Sequence, residues 1–210
     1  MDRTHWASST SYLSYSLRSH GLFRDQLFGE ILESLYRPGL LNVNRMNRIV
    51  LFLATLGPVG TKLPAPGTMG SLVGLLVYVF MTLVLGWSAH LIALSFLPLF
   101  VIGIPLCSRA EILLDRNDPG EIIWDEFTVI PFVFLPLFDL WMIPPTKETF
   151  FWLAFGFVLF RLFDVTKPWI IHSAQKLPRG FGVMVDDLLA ALAAALVLWG
   201  ARTFSLSFLF

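Results

Sequence analysis

Charged residues are scarce in this 210-residue chain: they make up 14% of it, whereas soluble domains carry about 25%. Basic and acidic residues are equal in number, so the net charge is zero and no basic excess points to nucleic acid. The single Cys107 excludes an intramolecular disulfide and a cysteine-rich zinc site. Serine-hydrolase, Cys-x-x-Cys and P-loop patterns are also absent. Hydrophobic residues make up 56% of the chain, and its mean hydropathy is +0.70. This composition indicates a membrane protein.

Five apolar segments follow one another along the chain. They cover about residues 69–87, 91–106, 122–143, 150–163 and 183–199. Most approach the roughly 20 residues that span a bilayer. We therefore predict an all-α fold, a multi-helix membrane bundle. The alternative is a soluble bundle in which the shorter segments form a buried core.

The first 45 residues differ from the rest in being more polar. We predict that residues 1–45 are an N-terminal extension, partly disordered or lying at the membrane interface, and that residues 46–205 form the helical domain. Within the extension, apolar residues at helical spacing over 27–36 favour a short amphipathic helix.

An acidic stretch at 118–126 carries four acids between two apolar segments. Such charge is costly unless a metal or a cationic ligand offsets it. Asp118 before Pro119, with Glu121 three residues later, is typical of a helix N-terminus. Asp118 is therefore expected either to cap that helix or to take part in the site chemistry. Glu121 and Asp125 would then share a helix face. Their carboxylates are ligands that Mg²⁺ prefers.

A second acidic pair, Asp186 and Asp187, is expected at the start of the fifth helix. Acids at a helix N-terminus are favourable by themselves, which is the alternative to a metal role. Arg161 and Asp164 are three residues apart and can form a salt bridge, or Arg161 can bind phosphate. Two acidic pairs on one membrane side favour a shared metal cluster.

The turn at 62–71 is rich in proline and glycine, and Thr68 or Ser71 is expected to cap the helix that follows. Exposed N–H groups at such a helix start attract phosphate, and Lys62 adds positive charge. A plain capped helix is the alternative.

The distribution of lysine and arginine predicts the orientation. If all five segments cross the membrane, residues 1–68, 107–121 and 161–182 share one side and carry thirteen of the fifteen basic residues. The positive-inside rule places that side in the cytoplasm. Every polar motif lies there too.

These residues favour metal-assisted hydrolysis of a lipid phosphate. The predicted catalytic acids are Asp125, Glu126 and Asp164. The predicted phosphate-binding residues are Thr68, Arg161, Lys167 and Lys62. The predicted Mg²⁺ ligands are Glu121, Asp125, Asp186 and Asp187.

Four blocks of the sequence resemble the phosphatidylglycerophosphatase A family. They are Ala65-Pro66-Gly67-Thr68-Met69-Gly70, residues 118–127, Phe160-Arg161-Leu162-Phe163-Asp164 with Lys167-Pro168-Trp169, and residues 180–187. Val129 stands where members of the family often have glycine. The resemblance implies Mg²⁺-dependent removal of the terminal phosphate of phosphatidylglycerophosphate, giving phosphatidylglycerol, at the bacterial cytoplasmic (inner) membrane. The site would face the cytoplasm.

Two other functions compete with this interpretation. A transporter or channel with an acidic cation site would place its acids near mid-membrane, whereas these lie at one interface. A headgroup transferase would carry a spaced-aspartate pattern that the chain lacks.

Overall fold

The computed structural model describes residues 41–137, 146–174 and 177–209, and these residues form helices without any β-strand. The helices are α1 (Leu41–Ala54), α2 (Pro58–Lys62), α3 (Pro66–Leu85), α4 (Ala89–Leu114), α5 (Trp124–Val133), a 3-10 turn (Leu135–Leu137), α6 (Lys147–Thr166), α7 (Trp169–Ala174) and α8 (Gly180–Leu209). The predicted all-α fold is confirmed.

The chain divides into two compact units, Met1–Met46 and Asn47–Phe210. The predicted helix at 27–36 lies outside the described residues, as does most of the predicted extension. The domain boundary after residue 45 stays a prediction. All contacts described below lie within the second unit.

Four of the described helices are long and apolar enough to cross a membrane: α3, α4, α6 and the Gly180–Ser205 part of α8. Their outer faces expose large apolar side chains such as Phe80, Leu94 and Leu196. Contiguous apolar surface of this kind favours lipid contact. The described part of the chain is therefore a multi-helix membrane bundle.

The third apolar segment does not form one long helix. Helix α5 has 10 residues, and at 1.5 Å per residue it is only about 15 Å long, half the hydrocarbon thickness of a bilayer. Pro131 lies in its last turn and Pro136 in the 3-10 turn that follows. Arg202 of α8 donates a hydrogen bond to the Pro136 carbonyl at 2.8 Å. Packing against α3, α4 and α8 shields this irregular backbone.

Two predicted helix starts are wrong. Helix α5 begins at Trp124, so Asp118 and Glu121 lie in the preceding loop, with Asp118 at a φ of 46°. Helix α8 begins at Gly180, which places Asp186 and Asp187 about two turns inside it. Each start was predicted from a local acidic pattern, which long-range packing overrides.

The predicted side-chain cap of α3 is also wrong. Pro66 occupies its first position after Ala65, and no side chain caps the helix. Instead, the Ser71 hydroxyl donates to the Gly67 carbonyl at 2.9 Å, one turn back. This frees the Thr68 side chain from a capping role.

Close packing between α3 and α5 depends on Gly74. A Cβ added there would lie 2.7 Å from the Phe127 carbonyl oxygen, whereas one added at Gly200 of α8 meets nothing within 4 Å. We expect Gly74→Ala to destabilise the fold by about 1–3 kcal/mol. Gly200→Ala should be neutral or stabilise by up to about 1 kcal/mol. Thermal unfolding in detergent checks both, and equal effects of the two substitutions would contradict the packing argument.

Candidate active site

Most of the predicted site residues line one cavity of about 300 Å³, here called the acidic cavity. Its wall combines the first turn of α3, the α4–α5 loop, the start of α5, the end of α6 and α8. Its charged and hydroxyl side chains belong to Thr68, Asp118, Asp125, Glu126, Arg161, Asp164, Lys167, Asp186 and Asp187. Residues as far apart along the chain as Ala65 and Asp187 therefore meet in one place.

Two predicted site residues are not brought to this cavity. Lys62, at the end of α2, is exposed and does not line it. Glu121 pairs with Arg116 at 3.0 Å and is likewise absent from the wall. The phosphate-binding role of Lys62 and the metal role of Glu121 stay predictions.

Arg161 joins three elements at the cavity wall. Its Nη1 lies 2.7 Å from Asp164 Oδ2 in the same helix and 3.3 Å from Glu126 Oε1 of α5. The same atom donates to the Ser71 hydroxyl of α3 at 3.2 Å. The pairing of Arg161 with Asp164 follows from their spacing along a helix. The contacts to α3 and α5 place one guanidinium where those helices converge.

Lys167 ends α6 in the left-handed conformation, with a φ of 40°, immediately before Pro168. Its Nζ bonds to Asp186 Oδ2 and lies 3.9 Å from Asp164 Oδ1. Burial lowers the pKa of Lys167, but the hydrogen bond and charge of Asp186 outweigh burial and raise it overall. The ammonium therefore stays charged beside the cavity.

Among the described residues of the cavity wall, acids outnumber cations by six to two. Asp125 Oδ1, Glu126 Oε2 and Asp187 Oδ2 are buried without a hydrogen-bond partner among the described residues. Burial raises the pKa of Asp125 well above its ordinary value, and the charge of Glu126 adds to the rise. Burial and Asp164 raise the pKa of Glu126 to about 8, against the opposing effect of Arg161. The cavity thus holds more carboxylate than its own cations neutralise.

The donor set fits a hard divalent cation. Carboxylate oxygens without partners are the ligands that Mg²⁺ takes, and the cation would offset their mutual repulsion. Across the described ranges, no three acidic, histidine or cysteine side chains already surround a single metal position. The fit rests on the chemistry and unused bonding capacity of Asp125, Glu126 and Asp187.

Asp118 and Gly67 line the cavity although neither was among the predicted site residues. Asp118 was expected to cap a helix or to take part in the site chemistry, and in the structure its backbone is left-handed, with a φ of 46°. A Cβ at Gly67 would lie 2.0 Å from Glu126 Oε1, so glycine leaves room for that carboxylate. The sequence signals for Gly67 are its place in a proline- and glycine-rich turn and in the first of the four blocks that resemble the family.

Apolar helices around a cavity whose wall carries both acids and fixed cations are the arrangement expected of a membrane enzyme that acts on phosphate-bearing lipids. The chain belongs to the phosphatidylglycerophosphatase A family, whose sequence model matches residues 52–202. The matched region contains every residue of the acidic cavity. Family membership makes the protein an enzyme rather than the transporter or channel considered above.

Curated relatives support the same family. Phosphatidylglycerophosphatase A of Haemophilus influenzae is 34% identical over 165 residues, which cover 78% of this chain and 94% of that protein. Phosphatidylglycerophosphatase A of Escherichia coli is 35% identical over 135 residues, covering 64% of this chain and 72% of that protein. A Bacteroides thetaiotaomicron protein, provisionally named a phosphatidylinositol-3-phosphatase, is 30% identical over 142 residues, 66% of this chain and 84% of its own length. No solved structure matches the chain.

Proposed function

We propose that this protein hydrolyses the terminal phosphate of phosphatidylglycerophosphate, giving phosphatidylglycerol and inorganic phosphate, in a Mg²⁺-dependent reaction. The family and the names of two relatives support the substrate. The observation that carries the Mg²⁺ dependence is the acidic cavity, where the described part of the chain places six acids, two cations and three buried carboxylate oxygens without partners. A phosphate dianion entering such a wall needs a further positive charge.

Asp125 and Asp187 would hold the cation, because each has a buried oxygen with unused capacity facing the cavity. When bound, the cation supplies charge neutralisation and a more acidic water. Asp186 keeps Lys167 charged and in place, and Asp164 holds Arg161 in place. The side chains of Lys167 and Arg161 can then bind the non-bridging phosphate oxygens and stabilise the negative charge that grows on them.

Glu126 is the best placed general base. Its Oε1 is fixed by Arg161, while its Oε2 is free to accept a proton. A pKa of about 8 lies near physiological pH, as general acid–base catalysis requires. In this scheme water attacks phosphorus and its proton passes to Glu126 Oε2. The bond from phosphorus to the glycerol oxygen breaks, and that oxygen takes up a proton from solvent to become a hydroxyl of phosphatidylglycerol.

The proposed location is the bacterial cytoplasmic membrane, with the acidic cavity facing the cytoplasm. The distribution of lysine and arginine supports this orientation. The lipid would then present its headgroup at the cytoplasmic interface while its acyl chains stay in the bilayer.

A phosphate-release assay in mixed micelles tests the proposed activity. We expect release from phosphatidylglycerophosphate to fall to background in a chelator and to return with Mg²⁺, because the acids then regain their counter-charge. Full activity in the chelator would contradict the metal dependence.

The Bacteroides relative supports phosphatidylinositol 3-phosphate as a second candidate substrate. The same assay should include it at equal concentration. We expect the higher kcat/KM for phosphatidylglycerophosphate, since two relatives carry that name. The reverse order would replace the proposed substrate without removing the phosphatase chemistry.

A further inference from the structure

Glu111 is a buried acid in the last turn of α4 for which the proposed mechanism has no use. Its side chain is 4% exposed. Its Oε1 accepts a hydrogen bond from the backbone N–H of Asp118 at 2.9 Å, and its carbonyl accepts one from the Arg116 N–H at 3.2 Å. One residue therefore holds the α4–α5 loop at two points.

Asp118 needs such a restraint because its backbone lies in the left-handed region, at a φ of 46°. Residues other than glycine occupy that region rarely, and they stay there when the surrounding structure holds them. The hydrogen bond from Asp118 N–H to Glu111 is the restraint at this position. The Ile122 N–H, bonded to the Pro119 carbonyl at 2.8 Å, closes the next turn.

The conformation of Asp118 decides where its carboxylate lies. Asp118 lines the acidic cavity and also a second cavity of about 320 Å³, which Glu111 lines as well. Of the described residues, only Asp118, Val183 and Asp186 belong to both walls. A change in the Asp118 backbone would move the carboxylate away from the boundary between the two cavities.

We propose that Glu111 is a positioning residue of the active site, which holds Asp118 in the backbone conformation that presents its carboxylate to the acidic cavity. Burying a carboxylate is costly unless it gains partners, and the loop N–H is the partner that Glu111 gains. Its other oxygen, Oε2, has no partner among the described residues, so packing alone does not account for an acid here. The effect on catalysis rests on the proposed function, whereas the effect on the loop does not.

Amide hydrogen exchange on the full chain in detergent tests the loop directly. Glu111→Met keeps the side-chain length but removes the acceptor, and Glu111→Gln keeps an oxygen that can accept the same bond. We expect exchange in the peptide containing Asp118 to be at least about tenfold faster in the Met variant and unchanged in the Gln variant. Glu111→Leu replaces the Met variant if that protein is not recovered folded. If the peptide containing Asp118 exchanges at the wild-type rate in a variant that lacks the Glu111 acceptor, the proposal would be overturned.

A double-mutant cycle then tests the route to activity. Loss of a residue that orients the site typically costs about 10–100-fold, which we expect for Glu111→Met, with Glu111→Gln close to wild type. In an Asp118→Asn background the Met substitution should cost less than about threefold, because its target is already lost. If the activity losses of Glu111→Met and Asp118→Asn multiply in the double variant, the proposal would be overturned. If the wild type releases no phosphate but exchange near Asp118 is still faster in Glu111→Met, the result would count against the proposed function alone.

Discussion

Asp125→Asn is expected to reduce phosphate release by about 10²–10⁴-fold while raising the thermal stability of the metal-free protein. Asp125 is 4% exposed and its Oδ1 has no hydrogen-bond partner among the described residues. Without a cation, its charge is buried beside Glu126 and is unfavourable. Asparagine removes that repulsion together with the proposed ligand. Activity and stability should therefore change in opposite directions.

Two measurements separate this result from a general loss of structure. Phosphate release is compared with thermal unfolding in detergent, in chelator and in Mg²⁺. Mg²⁺ should raise the unfolding midpoint of wild type and leave that of Asp125→Asn almost unchanged. Asp115→Asn is the matched control, since Asp115 is exposed and lies outside the acidic-cavity wall. Unchanged activity in Asp125→Asn would exclude Asp125 from the site.

It was predictable that motifs far apart in the sequence would meet. Hydropathy locates the apolar segments, and their order along the chain assigns each segment end to one side of the membrane. Thr68, Asp125, Arg161 and Asp187 belong to four separate motifs, and all four line the acidic cavity. The pairing of Arg161 with Asp164 was predictable as well, because residues three apart share a helix face. These predictions depend on helix geometry and segment order, which the sequence pattern carries.

Features that depend on long-range packing were not predictable. Asp118 matches a local helix-start pattern, yet a contact with Glu111 holds it in a loop. Glu111 lies beyond the apolar segment predicted at 91–106, because hydropathy falls before α4 ends at Leu114. Likewise, an apolar run over 122–143 does not distinguish a spanning helix from a short helix followed by a 3-10 turn. In each case the deciding contact comes from another element.

Arg161→Met is expected to lower kcat/KM by about 10²–10³-fold and to lower the unfolding midpoint. The substitution leaves the carboxylates of Glu126 and Asp164 without the cation that both contact. Breaking a buried pair on one side costs roughly 3–5 kcal/mol, because the remaining charge stays buried. Arg161→Lys should recover only part of the activity, since the lysine ammonium lies one atom closer to the backbone than the Nη1 that contacts Ser71, Glu126 and Asp164.

Arg116→Met provides the matched control, because Arg116 also pairs with a glutamate, at 3.0 Å. The side chain of Arg116 is 45% exposed and that of Arg161 is 20% exposed, so solvent screens the Arg116 pair far more. We expect the control to change kcat/KM by less than about threefold, in line with the small contribution of exposed pairs. If substituting either arginine lowers kcat/KM by the same factor, loss of one positive charge anywhere near this end of the bundle would explain the data. A large difference would instead assign the effect to the buried contacts of Arg161, where Glu126 and Asp164 meet the proposed phosphate position.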